Sequence, residues 1–184
     1  MPHFNTLVFI IAILFAGQVS AQTDQANIYY QQGVTNNQQG LLIEASVLFT
    51  QAIAEDPEFA QAYYQRGLSF DGMGEKAHAI KDFKQSVDYK IVNLQPYLKL
   101  INHYKSNAQY LAALIITDQL IANMPDQAAG GYYGKGQIYE LMNKSSLAIK
   151  AYEMTLKNTD EGMTVFKEQL LDKITHLKYH ENKQ

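Results

Sequence analysis

The sequence predicts an all-α fold, an α-solenoid built from repeated helix–turn–helix units. Short motifs recur in register: "YYQQG" starts at Tyr29, "YYQRG" starts 34 residues later at Tyr63, and "YYGKG" starts a further 69 residues on at Tyr132. Apolar residues recur at three- and four-residue steps, which is the period of an amphipathic helix, and strand signals are almost absent. A repeat of this length is typical of helical solenoids.

The N-terminal segment, residues 1–21, differs in character from the rest of the chain. It reads "MPHFNTLVFIIAILFAGQVSA", holds no charged side chain and contains the apolar run Leu7–Ala16. The small residues before Gln22 predict a secretory signal peptide that is cleaved there. An apolar run of 10 residues is shorter than the roughly 20 that span a bilayer. An uncleaved anchor stays open, because only the amino terminus and His3 supply positive charge before the apolar run.

Composition excludes several classes of site. The chain has no cysteine, so it lacks disulfides, a thiol nucleophile, a cysteine-based zinc site and the cysteine that anchors a bacterial lipoprotein. Together with the leader, this predicts a periplasmic or secreted protein without a membrane span after cleavage. The net charge of −3 and the single arginine, Arg66, supply no basic stripe, so no nucleic-acid partner is expected.

Each copy of the repeat has two recognisable halves. The first half carries an aromatic residue and a small residue one turn later: Tyr29 and Gly33, Tyr63 and Gly67, Tyr132 and Gly136. The second half carries alanine, a bulky residue and a small residue: Ala45, Phe49 and Ala52; Ala79, Phe83 and Ser86; Ala148, Tyr152 and Thr155. One copy departs from this pattern, with Ile101 for the glycine and Thr117 for the bulky residue. Small residues let the two helices approach closely, and an aromatic ring fills the gap that they leave.

This pattern resembles the tetratricopeptide repeat, a helix–turn–helix unit of about 34 residues. The best match is "AEDPEFAQAYYQRGLSFDGMGEKAHAIKDF", from Ala54 to Phe83. The resemblance implies a right-handed solenoid over residues 22–184, with copies at about 26–59, 60–93, 94–128 and 129–162. Residues 163–180 follow as one more amphipathic helix, which we expect to cap the last copy.

The resemblance also implies where a partner binds, since the first helices of such repeats line a concave groove. The residues expected to face this groove are Asn27, Tyr30, Val34, Gln61, Tyr64, Leu68, Gln95, Leu98, Asn102, Tyr133 and Gln137. Tyrosine faces offer apolar contact and amides pair with a bare backbone, so the predicted partner is a protein or peptide.

Three alternatives stay open at this stage. The tyrosines could pack between neighbouring copies, and Asn27, Gln61 and Gln95 could be ordinary solvated surface. The chain could instead be a structural subunit that self-associates within an envelope assembly. Some members of the family hold a terminal carboxylate with a lysine followed one turn later by asparagine; here Tyr30 is followed by Val34, so an acidic-tail binder is not predicted.

Two stretches are candidates for a catalytic or cofactor site. The stretch "GGYYGKGQIYE", Gly130–Glu140, has glycines around a lysine, but the spacing, the missing Ser or Thr and the absence of a preceding strand do not fit a phosphate loop. His176 and His180 have metal-ligand spacing, yet the zinc-protease signature H-E-x-x-H is absent, which leaves at most an adventitious metal site. The sequence therefore predicts a binding protein with no catalytic residues, cofactor or functional metal.

Overall fold

A computed structural model describes residues 24–181 of the chain. Nine α-helices and one 3₁₀ turn make up the regular structure of this segment, and it contains no strand. The predicted all-α fold of helix–turn–helix repeats is thereby confirmed. None of the helices between residues 24 and 181 is long and apolar enough to cross a membrane. The predicted signal peptide lies outside the described residues.

The helices follow one another with short connections. The first four are α1 (24–38), α2 (Leu42–Glu55), α3 (Ala60–Gly72) and α4 (Lys76–Asp88). They are followed by α5 (Leu94–Ser106), α6 (Tyr110–Asn123), a 3₁₀ turn (Pro125–Gln127), α7 (Ala128–Leu141), α8 (Ser145–Lys157) and α9 (Thr164–Glu181). The chain divides into two compact units: the first ends at Ile91 and contains α1–α4, and the second begins at Val92 and contains α5–α9.

Each helix pair reverses direction at one residue in the left-handed backbone region. These residues are Gly40, Gly74, Ala108 and Asn143, with φ of 78°, 80°, 55° and 55°. In every case the backbone N–H of the following residue donates to the carbonyl oxygen of the residue five positions before it, at 2.8–2.9 Å. This is the bond that closes a Schellman turn, which satisfies a carbonyl at the end of the first helix of each pair.

The small residue of the first helix faces the aromatic ring of the second. A Cβ added to Gly33, Gly67 or Gly136 would lie 2.7, 2.7 or 2.3 Å from a ring carbon of Phe49, Phe83 or Tyr152, respectively. All three rings are buried. Glycine is needed here because the ring occupies the volume that any side chain would take. The predicted close approach is found in three of the four helix pairs.

The first unit contains a buried ion pair. The Nε and Nη2 atoms of Arg66 donate to the two carboxylate oxygens of Asp82 at 2.7 and 2.9 Å, and Nη1 donates to Thr50 Oγ1 at 3.0 Å. The Asp82 side chain is only 3% exposed. The guanidinium therefore links α3 to both α4 and α2, and the chain's single arginine has a structural role.

In the second unit, α9 packs as an amphipathic helix. Its buried residues Leu170 and Ile174 join a cluster with Ala148, Ile149 and Tyr152 of α8. Phe166 and Leu177 extend the same apolar face of α9. This covers the outer face of the α7–α8 pair, as the sequence led us to expect of a capping helix.

Candidate functional site

The eleven predicted groove residues all lie on the first helix of a pair. Six are in the first unit: Asn27, Tyr30 and Val34 on α1, and Gln61, Tyr64 and Leu68 on α3. Five are in the second unit: Gln95, Leu98 and Asn102 on α5, and Tyr133 and Gln137 on α7. A groove running through all four pairs stays a prediction.

The first-unit tyrosines are engaged in packing. The Tyr30 ring lies 5.9 Å from the ring of Phe49 and 5.0 Å from that of Phe59, measured between centroids. The Tyr64 ring lies 6.0 Å from that of Phe83. Burial raises the pKa of the Tyr30 hydroxyl, although a hydrogen bond with the Gln65 side chain opposes the shift. Both rings remain half-buried, so one face packs and part of the other stays accessible.

The second unit has a cavity of about 190 Å³ between α5 and α7, which we call the α5–α7 groove. Four of the five predicted residues in this unit line it: Leu98, Asn102, Tyr133 and Gln137. Its other lining residues are Leu94, Ile101, Lys105, Thr117, Leu120, Gln127, Gly130, Gly131 and Gly134. Gln95 is exposed and is not among the lining residues.

The groove lies in the one helix pair that departs from the repeat pattern. Where the other pairs place glycine and a buried ring, this pair places Ile101 and Thr117, and both residues line the cavity. Thr117 is fully buried, and its hydroxyl donates to the carbonyl oxygen of Ala113 at 2.8 Å. This pair thus has a larger residue at the glycine position and a smaller one at the ring position than the other pairs do.

Tyr133 lines both the α5–α7 groove and a second cavity. This cavity, of about 310 Å³, is also lined by Phe166 on α9, by Met163 just before it, and by Asp126 and Asp160. The Tyr133 ring is 5.7 Å from the rings of both Tyr152 and Phe166. Tyr133 therefore both packs against neighbouring rings and lines the two cavities.

One end of the α5–α7 groove is polar. Lys105 Nζ donates to Gln137 Oε1 at 3.3 Å, and within residues 24–181 no carboxylate lies close enough to pair with it. The nearby carboxylate of Glu140 is already engaged: Lys173 Nζ is 3.0 Å away, and the Tyr152 hydroxyl donates to it. Burial, followed by this contact with Glu140, raises the pKa of the Tyr152 hydroxyl. Lys105 is thus a half-buried cation held only by an amide.

The stretch Gly130–Glu140 lies within α7, so it is helix and not a phosphate-binding loop. His176 and His180 lie near the end of α9, with Nε2 atoms 3.1 Å apart. Nowhere between residues 24 and 181 do three histidine, aspartate or glutamate side chains converge as metal ligands. The arrangement of the second unit suits binding through shape and hydrogen bonds.

Comparisons with known proteins agree with this fold. Residues 60–90 and 129–153 match the family model described as Tetratricopeptide repeat. Among solved structures, the chain is similar to a MamA protein, with 21% identity over 85% of this chain and 89% of that one and a TM-score of 0.57. Against curated protein sequences, no match reaches significance.

Two further structures extend the likeness. Pseudomonas aeruginosa pilF shares 16% identity over 89% of this chain and 72% of its own, with a TM-score of 0.57. YrrB, described as a TPR protein with an unusual peptide-binding site, shares 16% identity over 92% of this chain and 98% of its own, with a TM-score of 0.58. At these identities the likeness concerns the fold. The family match thus covers two stretches of the chain, and the likeness to the solved structures is one of fold.

Proposed function

We propose that this protein is an interaction module of the bacterial periplasm or cell envelope that holds a peptide segment of a partner in the α5–α7 groove. The observation that carries the proposal is the cavity itself. It lies in the helix pair where Ile101 and Thr117 stand in place of the glycine and the ring, and four of the predicted groove residues line it. A concave, largely apolar cavity with a few polar groups is a place where a partner's side chain can bind.

The lining residues indicate the chemistry of the partner. Leu94, Leu98, Ile101 and Leu120 give an apolar wall for an aliphatic or aromatic side chain, and Tyr133 adds a rigid face. The amides of Asn102 and Gln137 can pair with the backbone of an extended segment. Lys105 favours an acidic side chain beside the apolar one, because its charge has no carboxylate within reach in the described part of the chain.

The proposed cellular location rests on the sequence of the N-terminal segment, residues 1–21. An uncharged apolar stretch followed by small residues supports export, and the absence of cysteine argues against a lipid anchor. N-terminal sequencing of the protein recovered from a periplasmic extract tests this: a chain that begins at Gln22 supports export with cleavage. A chain recovered from the cytosol with Met1 intact would refute it.

A displayed library of random heptapeptides tests the groove. Leu98→Ala removes part of the apolar wall, and Thr117→Phe adds a ring to the cavity lining, beside Ile101. Leu147→Ala on α8 is a matched control, because Leu147 and Leu98 are 38% and 37% exposed. Peptides selected on the parent should lose binding to both groove variants and keep it with the control, once circular dichroism shows unchanged melting. Equal binding to all four proteins would refute the proposed site.

Self-association is a second candidate, favoured by one observation. Leu111 and Ile115 lie one turn apart on α6 and are 69% and 61% exposed. Two such residues on one face of a helix can bury apolar surface against a second molecule. Multi-angle light scattering should then give a dimer for the parent and a monomer for Leu111→Ser/Ile115→Ser. A parent that is monomeric at working concentration would exclude this candidate.

A further inference from the structure

Two imidazole rings meet near the C-terminal end of α9. His176 and His180 are one turn apart, their ring centroids are 4.4 Å apart, and their Nε2 atoms lie 3.1 Å from each other. Both residues are exposed, so an ion from solvent can reach them. Neither ring takes part in the α9 packing that joins Leu170 and Ile174 to α8.

The separation of the two nitrogens fits a shared metal ion. A first-row transition metal holds imidazole nitrogen at about 2.0–2.1 Å. Two nitrogens at that distance from one ion and 3.1 Å from each other subtend roughly 98° at the ion. This angle lies between the right angle of square-planar or octahedral sites and the tetrahedral angle, so the separation of the two nitrogens is compatible with one shared ion.

The surrounding charges do not oppose a cation. The two nearest lysines of α9 are each paired with a carboxylate: Lys173 with Glu140 at 3.0 Å and Lys178 with Glu153 at 2.8 Å. No third histidine or carboxylate joins the pair within the described chain, so water completes the coordination.

We propose that His176 and His180 form a two-imidazole chelate for a borderline divalent transition-metal ion, with Cu²⁺ held more tightly than Ni²⁺ or Zn²⁺. Nitrogen ligands follow this order, and hard oxygen-seeking ions such as Mg²⁺ and Ca²⁺ are excluded. In the tautomer that places a proton on one Nε2, that nitrogen donates to the other. A bound ion takes the lone pair of each Nε2, so each ring then carries its proton on Nδ1.

The chelate links two successive turns of α9, so a bound ion should also hold the end of this helix. Because residues four apart are neighbours on a helix surface, a ligand that bridges them favours the helical state over the frayed one. The proposal therefore predicts two separate results, metal affinity and protection of the helix end. The second is independent of any unknown partner in the α5–α7 groove.

Calorimetric titration of the full chain with CuCl₂, NiCl₂ and ZnCl₂ tests the affinity. We expect a site for one Cu²⁺ that weakens by about tenfold or more in His176→Asn and in His180→Asn, since each variant loses the advantage of a second tethered ligand. His78→Asn, which changes another exposed histidine, should leave this site unchanged. Retained affinity in both α9 variants, or equal loss in the His78 variant, would overturn the proposal.

Hydrogen exchange tests the second result. With saturating Zn²⁺, the backbone amides of residues 177–181 should exchange more slowly in the parent and at an unchanged rate in His176→Asn. Single substitutions at these exposed positions leave the packed face of α9 intact, which the melting curve of each variant checks. Zn²⁺-dependent protection of equal size in His176→Asn would also overturn the proposal.

Discussion

Two glycines of α7, two residues apart, should respond oppositely to the same substitution. A Cβ at Gly136 would lie 2.3, 2.5 and 2.6 Å from three carbons of the Tyr152 ring. A Cβ at Gly134 would meet only Thr117 Cγ2, at 3.9 Å, which is an ordinary contact. Gly134→Ala is therefore a control for Gly136→Ala in the same helix and the same unit.

The magnitude follows from two opposing effects. Replacing a mid-helix glycine with alanine favours the helix by about 1 kcal/mol at either site. At Gly136 this gain competes with overpacking, which costs about 1–3 kcal/mol. The Tyr152 ring is fully buried and its hydroxyl is held by Glu140, so it cannot move aside and the cost lies at the upper end. We expect Gly136→Ala to lose about 2 kcal/mol of unfolding free energy and Gly134→Ala to gain up to about 1 kcal/mol.

Urea unfolding followed by far-ultraviolet circular dichroism measures this difference. Because the chain divides into two compact units, the curves are fitted with two transitions where the data require them. A double variant, Gly136→Ala/Tyr152→Leu, should recover part of the loss because the branched side chain vacates the ring position. If Gly136→Ala were as stable as the parent, the Tyr152 ring would not require glycine at position 136, and the explanation would be wrong.

Three further predictions concern charges and hydroxyls. Asp82→Asn leaves the Arg66 guanidinium without its carboxylate, and urea unfolding should show a loss of about 3 kcal/mol in the free energy of unfolding. This is the lower end of the range for breaking a buried ion pair, because Arg66 is partly exposed. Burial and Glu140 raise the pKa of Tyr152, so its neutral form is favoured by folding; the resulting stability is full below about pH 10 and falls as pH rises further. Tyr152→Phe should therefore reduce the loss of stability between about pH 10 and pH 11, by up to about 1.4 kcal/mol per pH unit, and an unchanged slope would contradict this. Lys178→Ala removes an exposed ion pair with Glu153 and should change the free energy of unfolding by less than about 1 kcal/mol. A larger loss would contradict the expectation that an exposed pair contributes little to stability.

The repeat pattern was sufficient to predict the helix pairs. Recurrence of small and bulky residues in register identified Gly33 with Phe49, and Gly67 with Phe83, as close-packed positions, and the structure places them in contact. This succeeds because each pair packs through neighbours in sequence, so a local pattern carries most of the information. The capping helix was predicted for the same reason, from an apolar stripe with a period of one turn.

The site was predicted only in part. The positions of the residues within the repeat placed Leu98, Asn102, Tyr133 and Gln137 on the first helices of their pairs, and these four residues line one cavity. It could not show that Lys105 would lie beside them, because side-chain reach and the engagement of Glu140 by Lys173 depend on packing between helices. Nor could it decide whether Tyr30 packs or contacts a partner; the structure shows that its ring packs between two phenylalanines and is half-buried.

The left-handed residue in each helix turn has a consequence for how this chain could evolve or be engineered. Two of the four turns use glycine, which adopts this conformation freely, whereas Ala108 adopts it with φ of 55° at a cost of about 1–2 kcal/mol. The turn beside the α5–α7 groove therefore carries strain that a single change to glycine would relieve. Ala108→Gly would raise the free energy of unfolding. That gain could offset the stability lost when new side chains enter the α5–α7 groove and change its specificity.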